Sequence, residues 1–247
     1  STGREVEIQN GLRGYVLADA STRSGADLLL QGQVSYISDP TYMSTWRQDW
    51  FYKRRMFETS AYIKNQSGNS ALAALLSYDL NSFISNSYRL ASRPYVVNKA
   101  PDLTYRRYGD SFFKDTVSWS SEYGLTAMQL LPTRGTPNEL GIRSQAFGSN
   151  IGPVPVRNNT QIPEAYEQAG YRENWVYRLH TRQELSVPLD IWNFNIVPFG
   201  SLSLSHWYKN EFDAYSEESQ STRVLAAAGT RFSTQMVREY NGIQNLF

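Results

Sequence analysis

Cysteine is absent from the 247-residue chain, which excludes a disulfide scaffold and a thiolate metal site. Large exported barrels need no disulfides, so the compartment stays open. Charge is scarce at 19%, against roughly 25% in an ordinary soluble domain. The net charge of +1 and the lack of a strongly basic domain argue against a nucleic-acid partner. Long apolar runs are missing too. The longest, residues 71–76, has six residues, whereas a spanning helix needs about 20. The opening STGREVEIQN has no apolar core of a signal peptide, so an exported protein would present this chain as a mature or internal piece. No GxSxG, HExxH, GxGxxG or Walker A sequence occurs.

Aromatic residues are abundant, with 17 Tyr, 11 Phe and 6 Trp, yet the mean hydropathy is −0.50. Strands with one apolar and one wet face give that balance. Period-two segments are common and helical periodicity is hard to find. Strands are expected over residues 12–20, 28–37, 55–66, 71–80, 103–108, 116–125, 171–187, 192–208 and 223–237, with a further strand-like stretch over 81–98. Turn chemistry separates them: Gly25 within STRSGAD, Ser67-Gly68-Asn69, Gly109-Asp110 and Pro188-Leu189-Asp190. Pro101 is expected to interrupt its stretch. Residues 131–170 hold Pro132, Pro137, Pro153, Pro155 and Pro163 without a clear period and read as one long loop. The expectation is an all-β antiparallel meander of about ten long strands, one partial barrel domain over residues 1–247.

Residues 171–187 show the two faces best. Arg178, His180, Arg182 and Glu184 alternate with Tyr177, Leu179, Leu185 and Val187. A lipid-facing barrel wall gives this pattern, and so does a soluble sandwich with one solvated face. Aromatic residues near strand ends (Trp46, Trp50, Phe51, Tyr52; Trp175, Tyr177; Trp207, Tyr208) favour the wall, because Trp and Tyr collect at the membrane interface.

Residues 32–46, GQVSYISDPTYMSTW, resemble the LptD family (OstA/Imp), the outer-membrane lipopolysaccharide (LPS) translocon. An alternating strand there runs into Ser38-Asp39-Pro40, the family's motif positions. Residues 58–66 and 71–80 resemble the following hairpin, 88–105 a strand entry, and 184–200 a late strand pair with Pro198 in its xPF position. Two departures stand out. Nothing resembles the family's periplasmic jelly roll, and the family barrel lies near the upper end of the roughly 8–26-strand range. The chain therefore reads as an internal piece of the wall, with Phe247 as a cut point. The resemblance implies LPS insertion into the outer leaflet of the outer membrane and no cofactor. It also implies an LptE-like plug lipoprotein and a periplasmic LPS-bridge protein as partners.

The candidate contacts with LPS phosphates and sugars, or lumen lining, are Lys53, Arg54, Arg55, Arg106, Arg107, Arg178, His180 and Arg182, because Arg offers such anions a bidentate fork. No catalytic residue and no metal ligand is expected. The alternatives are a porin-like channel, a barrel lipid hydrolase using Ser203 or Ser205 with a histidine, or a soluble carbohydrate-binding β-sandwich. For the hydrolase, Ser205 and His206 are adjacent and so point to opposite faces of a strand.

Overall fold

A computed structural model describes residues 11–39, 41–52, 57–81, 95–140, 143–208 and 221–234. Its core is a ten-stranded antiparallel sheet. Four strands come first: β1 (Tyr15–Ser24), β2 (Leu28–Ile37), β3 (Thr59–Ser67) and β4 (Ser70–Tyr78). The long pair β5 (Tyr95–Phe112) and β6 (Val117–Pro132) follows. A two-residue hairpin, β7 (Asn150–Ile151) with β8 (Val154–Pro155), stands apart. The sheet resumes with β9 (Val176–Ser186), the short β10 (Leu189–Ile191), β11 (Phe194–Tyr208) and β12 (Thr222–Thr234). Each strand of the main sheet pairs with its neighbour in order, β6 passing directly to β9, and both β10 and β12 lie on β11. The helices are short: α1 (Tyr42–Trp46), α2 (Gln48–Tyr52) and α3 (Ile162–Gln168). None of the described helices is long and apolar enough to cross a membrane.

The expected strands are present, with corrected limits. β1 runs on through Ser24 because Ser21–Ser24 still pair with β2, and the turn narrows to Gly25 at φ +66°. Pro101 does not interrupt its strand. It sits at a register shift between Lys99 and Asp102 of β5, where no ladder N–H is required. Gly109, expected in a turn, lies inside β5 at a second register shift, with φ +67°. The turn itself falls at Phe113, Lys114 and Asp115. Pro188-Leu189-Asp190 likewise does not turn the chain; β10 continues the ladder and the reversal comes at Trp192-Asn193. Of the strand-like stretch expected at 81–98, residues 82–94 lie outside the described residues, as does 235–237 of the last strand.

Short turns join β1–β2, β3–β4, β5–β6 and β10–β11 at one end of the sheet. The long connections, 38–58, 79–94, 133–175 and 209–221, all leave from the other end. Outer-membrane barrels show this asymmetry, with the longer loops outside the cell. The pairing is also sheared. One ladder row passes through Gln31, Tyr62, Leu75, Asp102, Thr126, Arg178 and Trp207. From that row β2 extends three residues to its short-turn end at Leu28, whereas β11 extends thirteen to Phe194. Ten residues over six strand steps, at ~3.3 Å per residue and ~4.8 Å per step, correspond to a strand tilt of roughly 45–50°, near that of a barrel wall.

Residues directly opposite in a ladder point to the same side, so the register separates two faces. One carries Val16, Leu30, Val34, Ile63, Leu72, Leu76, Leu125, Leu179, Leu202, Leu204 and Val224, all exposed. The other carries Gln31, Gln33, Lys64, Asp102, Arg106, Glu122, Arg178, His180, Arg182, Glu184, Ser201, Ser203 and Ser205. A soluble sandwich would cover its apolar face with a second sheet; among the described residues nothing covers this one. Here the apolar face is bare and the charges gather on the other face, the arrangement of a lipid-facing wall. Aromatic residues border the apolar band at both ends. Tyr36, Tyr78, Tyr177 and Tyr208 lie near the loop end; Phe112, Trp119, Phe194 and Phe232 lie near the turn end. Phe194 and Phe232 stack at 5.2 Å.

The apolar cores sit in the loops. Residues 131–170, expected as one long loop, and 171–175, expected as strand, are corrected: β6 runs through Pro132, and residues 133–175 fold into a cap with α3, the β7–β8 hairpin and a 3₁₀ turn at Ser144–Phe147. Leu140, Phe147, Ile151, Val156, Ile162, Ala165, Tyr166 and Tyr171 are buried together against Leu130 of β6. The Tyr171 hydroxyl donates to the Leu130 carbonyl. A second cluster packs Met43 and Phe57 on Ile37, with Tyr15, Tyr42 and Trp50 around them. Leu130, Ile37 and Tyr15 all occupy polar-face positions by register, so both loops lean over that side of the wall.

Candidate functional site

The polar face is organised by β9. Its Arg178, His180, Arg182 and Glu184 face Thr126, Gly124, Glu122 and Ser120 on β6, and Trp207, Ser205, Ser203 and Ser201 on β11. Period-two alternation forces this, and the antiparallel register decides which partners meet. Arg106 of β5 donates to Glu122 at 2.7 Å. His180 Nδ1 lies 2.9 Å from Ser205 Oγ, and its Nε2 is 3.9 Å from Glu122. Glu184 accepts from Arg182 at 2.9 Å and from Arg231 of β12 at 2.6 Å. Arg231 also stacks on the Phe199 ring at 4.2 Å, and that ring lies across Gly229 on the paired strand.

Not every cation is neutralised. Arg178 has no ion pair among the described residues, and its Nε is buried without a hydrogen-bond partner. Arg223, opposite Ser205 on β12, is likewise without an ion pair. Trp207 lies directly across from Arg178. The loop end of the polar face therefore carries two guanidinium groups without an ion pair among the described residues, while Arg106, Arg182 and Arg231 are locked in pairs. Lys64 and Arg23, nearer the turns on the same face, likewise have no ion pair among the described residues.

The expected site residues separate accordingly. Arg106, Arg178, His180 and Arg182 share the polar face. Arg107 lies on the opposite face, paired with Asp110 at 2.8 Å near the turn end. Lys53, Arg54 and Arg55 lie outside the described residues, as does Pro40. For the hydrolase alternative, Ser205 meets His180, while His206 faces the apolar side and pairs with Thr222 Oγ1 at 2.8 Å. Glu122, the acid nearest His180, is already held by Arg106, and the strand amides around Ser205 lie within the ladders. Arg223, Arg231 and Trp207 were not singled out as site residues. Alternation on β12 puts Arg223 and Arg231 in phase, which is the one signal the sequence carries for them. Among the described residues no group of three or more His, Asp or Glu side chains could hold a metal ion.

Ser38 and Asp39 form a corner at the loop end of β2. The Asp39 carboxylate accepts Arg13 Nε and Nη2, each at 2.9 Å. It also accepts the Thr41 amide at 3.0 Å, the Thr41 hydroxyl at 2.7 Å and the Ser38 hydroxyl at 3.0 Å. Ser38 Oγ accepts the Gly14 amide, and the Ser38 amide donates to the Gly14 carbonyl at 2.9 Å. Burial pushes the Asp39 pKa up, but the hydrogen bonds from Arg13, Thr41 and Ser38 and the Arg13 charge outweigh it and hold the carboxyl below its ordinary value. The strand-to-loop corner is thus closed by an ion pair whose partners are 26 residues apart.

This corner, the wet charged face and the bare apolar face belong to one stretch, and that whole stretch, residues 11–246, matches the family model of LptD, LPS transport system D. The chain belongs to the LptD family. LptD proteins are outer-membrane LPS transport proteins, so transport rather than catalysis is the family's activity. No curated protein sequence matches the chain. The matched residues run from before β1 to beyond β12, so the sheet, the cap and the Asp39 corner all lie within the LptD match.

Proposed function

We propose that this chain is part of the wall of an outer-membrane β-barrel that passes LPS to the outer leaflet. The observation that carries the reading is a single sheet with a bare apolar face and a charged, partly paired polar face, in a chain of the LptD family. On this reading the apolar face meets acyl chains and the polar face lines the hydrated lumen. Phosphates and acidic sugars of LPS are met by Arg178 and Arg223, whose forks are free, with Trp207 offering an apolar ring to a sugar face. Arg106 and Arg182 serve the wall itself, since their charges are spent on Glu122 and Glu184. His180 stands between the two groups. An LptE-like plug lipoprotein and a periplasmic LPS-bridge protein are the partners the reading implies.

Photo-crosslinking amino acids at positions 178, 203 and 223 of the full-length protein test it in cells. LPS captured at these inward positions is the expected result. A folded, surface-localised protein that captures no LPS at any of them would overturn the assignment of the lumen. Arg178→Ala with Arg223→Ala is expected to slow the appearance of new surface LPS severalfold more than Arg182→Ala does.

A further inference from the structure

The four short turns differ in a way that transport does not explain. Two are polar and put glycine in the left-handed backbone region: Gly25 at φ +66° and Gly68 at φ +55°. The other two include an aromatic residue there: Phe113 at φ +53°, followed by Lys114 at +58° and Asp115 at +65°, and Trp192 at φ +55°. Left-handed backbone is disfavoured for any residue with a Cβ and is least expected for bulky ones. Both side chains are almost bare, Phe113 82% and Trp192 95% exposed. Their hairpins are neighbours, because β6 pairs with β9. An exposed aromatic ring held at a disfavoured backbone position indicates a contact outside the sheet.

The dimensions of the wall indicate what that contact is. Tyr208, in the aromatic border of the loop end, and Phe194, in that of the turn end, are fourteen residues apart on β11. At ~3.3 Å per residue and a tilt near 45°, they are separated by roughly 33 Å along the membrane normal. Trp192, at the tip of the turn that follows the Ile191–Phe194 pair, lies about one residue rise further, roughly 35 Å below Tyr208. A bilayer has ~30 Å of hydrocarbon and ~40–45 Å with its headgroups, so this depth falls in the headgroup layer of the opposite leaflet. The apolar band reaches the tip beside Trp192 through Leu189, Ile191, Phe194 and Phe232, and Phe112 lies beside Phe113, all exposed, with the Arg107–Asp110 ion pair between Phe112 and the band above it.

We infer that Phe113 and Trp192 are lipid anchors, seated among phospholipid headgroups on the short-turn side, and that the polar Gly25 and Gly68 turns are not. The inference rests on the reading of the sheet as a membrane wall. Trp is suited to this layer because its ring is apolar and its N–H finds water or phosphate.

The test uses the full-length protein labelled with 5-fluorotryptophan, in nanodiscs of phosphatidylethanolamine and phosphatidylglycerol. Trp192→Phe and Trp119→Phe assign the two ¹⁹F resonances. A phospholipid with a spin-labelled headgroup is expected to broaden the Trp192 signal severalfold more than a soluble gadolinium chelate does. Gadolinium broadening of Trp192 while Trp119 responds to the labelled lipid would overturn the anchor and leave the wall standing. If Trp119 also responds only to gadolinium, the wall reading fails and the anchor with it. Phe113→Trp in the Trp192→Phe background is expected to report the same headgroup depth, and a gadolinium-accessible signal there would remove Phe113 from the proposal.

Discussion

Asp39→Asn removes one charge from the corner at the end of β2 and keeps its shape. In the native corner the carboxylate accepts five hydrogen bonds, two of them from Arg13. Its side chain is 9% exposed and that of Arg13 22%. Removing one partner of a fully buried pair costs about 3–5 kcal/mol. Discounting for the water that reaches Arg13, about 2 kcal/mol is expected here, and it falls on local opening because the ladders of β1 and β2 are untouched. Two kcal/mol is about a 30-fold change in an opening equilibrium. The reporters are the Ser38 and Gly14 amides, which bond to each other's residues and not to Asp39. Hydrogen exchange at both is expected to accelerate about 30-fold, with amides at the middle of β2 unchanged. Acceleration below about threefold would refute the claim that the carboxylate holds the corner. The pH dependence has a definite sign. The folded Asp39 pKa lies below its unfolded value, so its contribution is fully present above the ordinary aspartate range. It is lost as pH falls through the depressed value. Wild-type protection factors, corrected for the intrinsic pH dependence of exchange, should therefore approach those of Asp39→Asn only in acid, while the variant's stay flat.

Gly229→Ala places a Cβ 3.0 Å from Phe199 Cζ and 3.1 Å from Cε1. The ring must leave its seat under Arg231, at a cost of about 1–2 kcal/mol, seen as a lower temperature for the heat-induced electrophoretic shift; Phe199→Ala in the same chain should reverse much of it. Ala226→Arg puts a charge on the apolar face, which in a membrane wall costs about 2–4 kcal/mol near the bilayer midplane, whereas Ala227→Arg lies on the polar face. Urea unfolding in lipid should separate these two neighbours, and equal midpoints would contradict the assignment of faces. Tyr171→Phe leaves the Leu130 carbonyl without its donor, at about 1–2 kcal/mol, and Ile162→Ala empties a fully buried site at about 2–5 kcal/mol. Both are expected to hasten protease cutting within 133–175 while β5 and β6 stay protected; cutting at the wild-type rate would show that the cap does not rely on this core.

The strands were legible wherever alternation was strict. Residues 176–186 and 28–37 could be read directly, and Gly25 marked its turn. Pro101 and Gly109 were misread because a bulged strand absorbs residues that would end a regular one. The cap left no periodic trace: its buried residues, such as Leu140, Phe147, Ile151 and Ile162, come from short pieces with different spacings. In the site, the basic residues of β9 were visible, but their state was not. Whether Arg178 is free and Arg182 is spent depends on where Glu122, Glu184 and Arg231 fall across three ladders. Asp39 stood out in its motif, yet its partner Arg13 lies two strands back in the chain and carries no mark of its own.

On the reading of the sheet as a barrel wall, the shear of the ladders has a consequence for the size of the passage. A strand inclined at 45–50° occupies about 7 Å of circumference instead of ~4.8 Å. The nine long strands therefore supply on the order of 60 Å of perimeter. Lumen width is in this sense a property of register. A slip of two residues between neighbours would leave every side chain on its own face and still change the bore. The register shifts at Leu75/Ser77, Lys99/Asp102 and Arg107/Asp110 each set three residues of β5 against two on a neighbouring strand, so they change the stagger and also which alternate residues of β5 lie on the polar face.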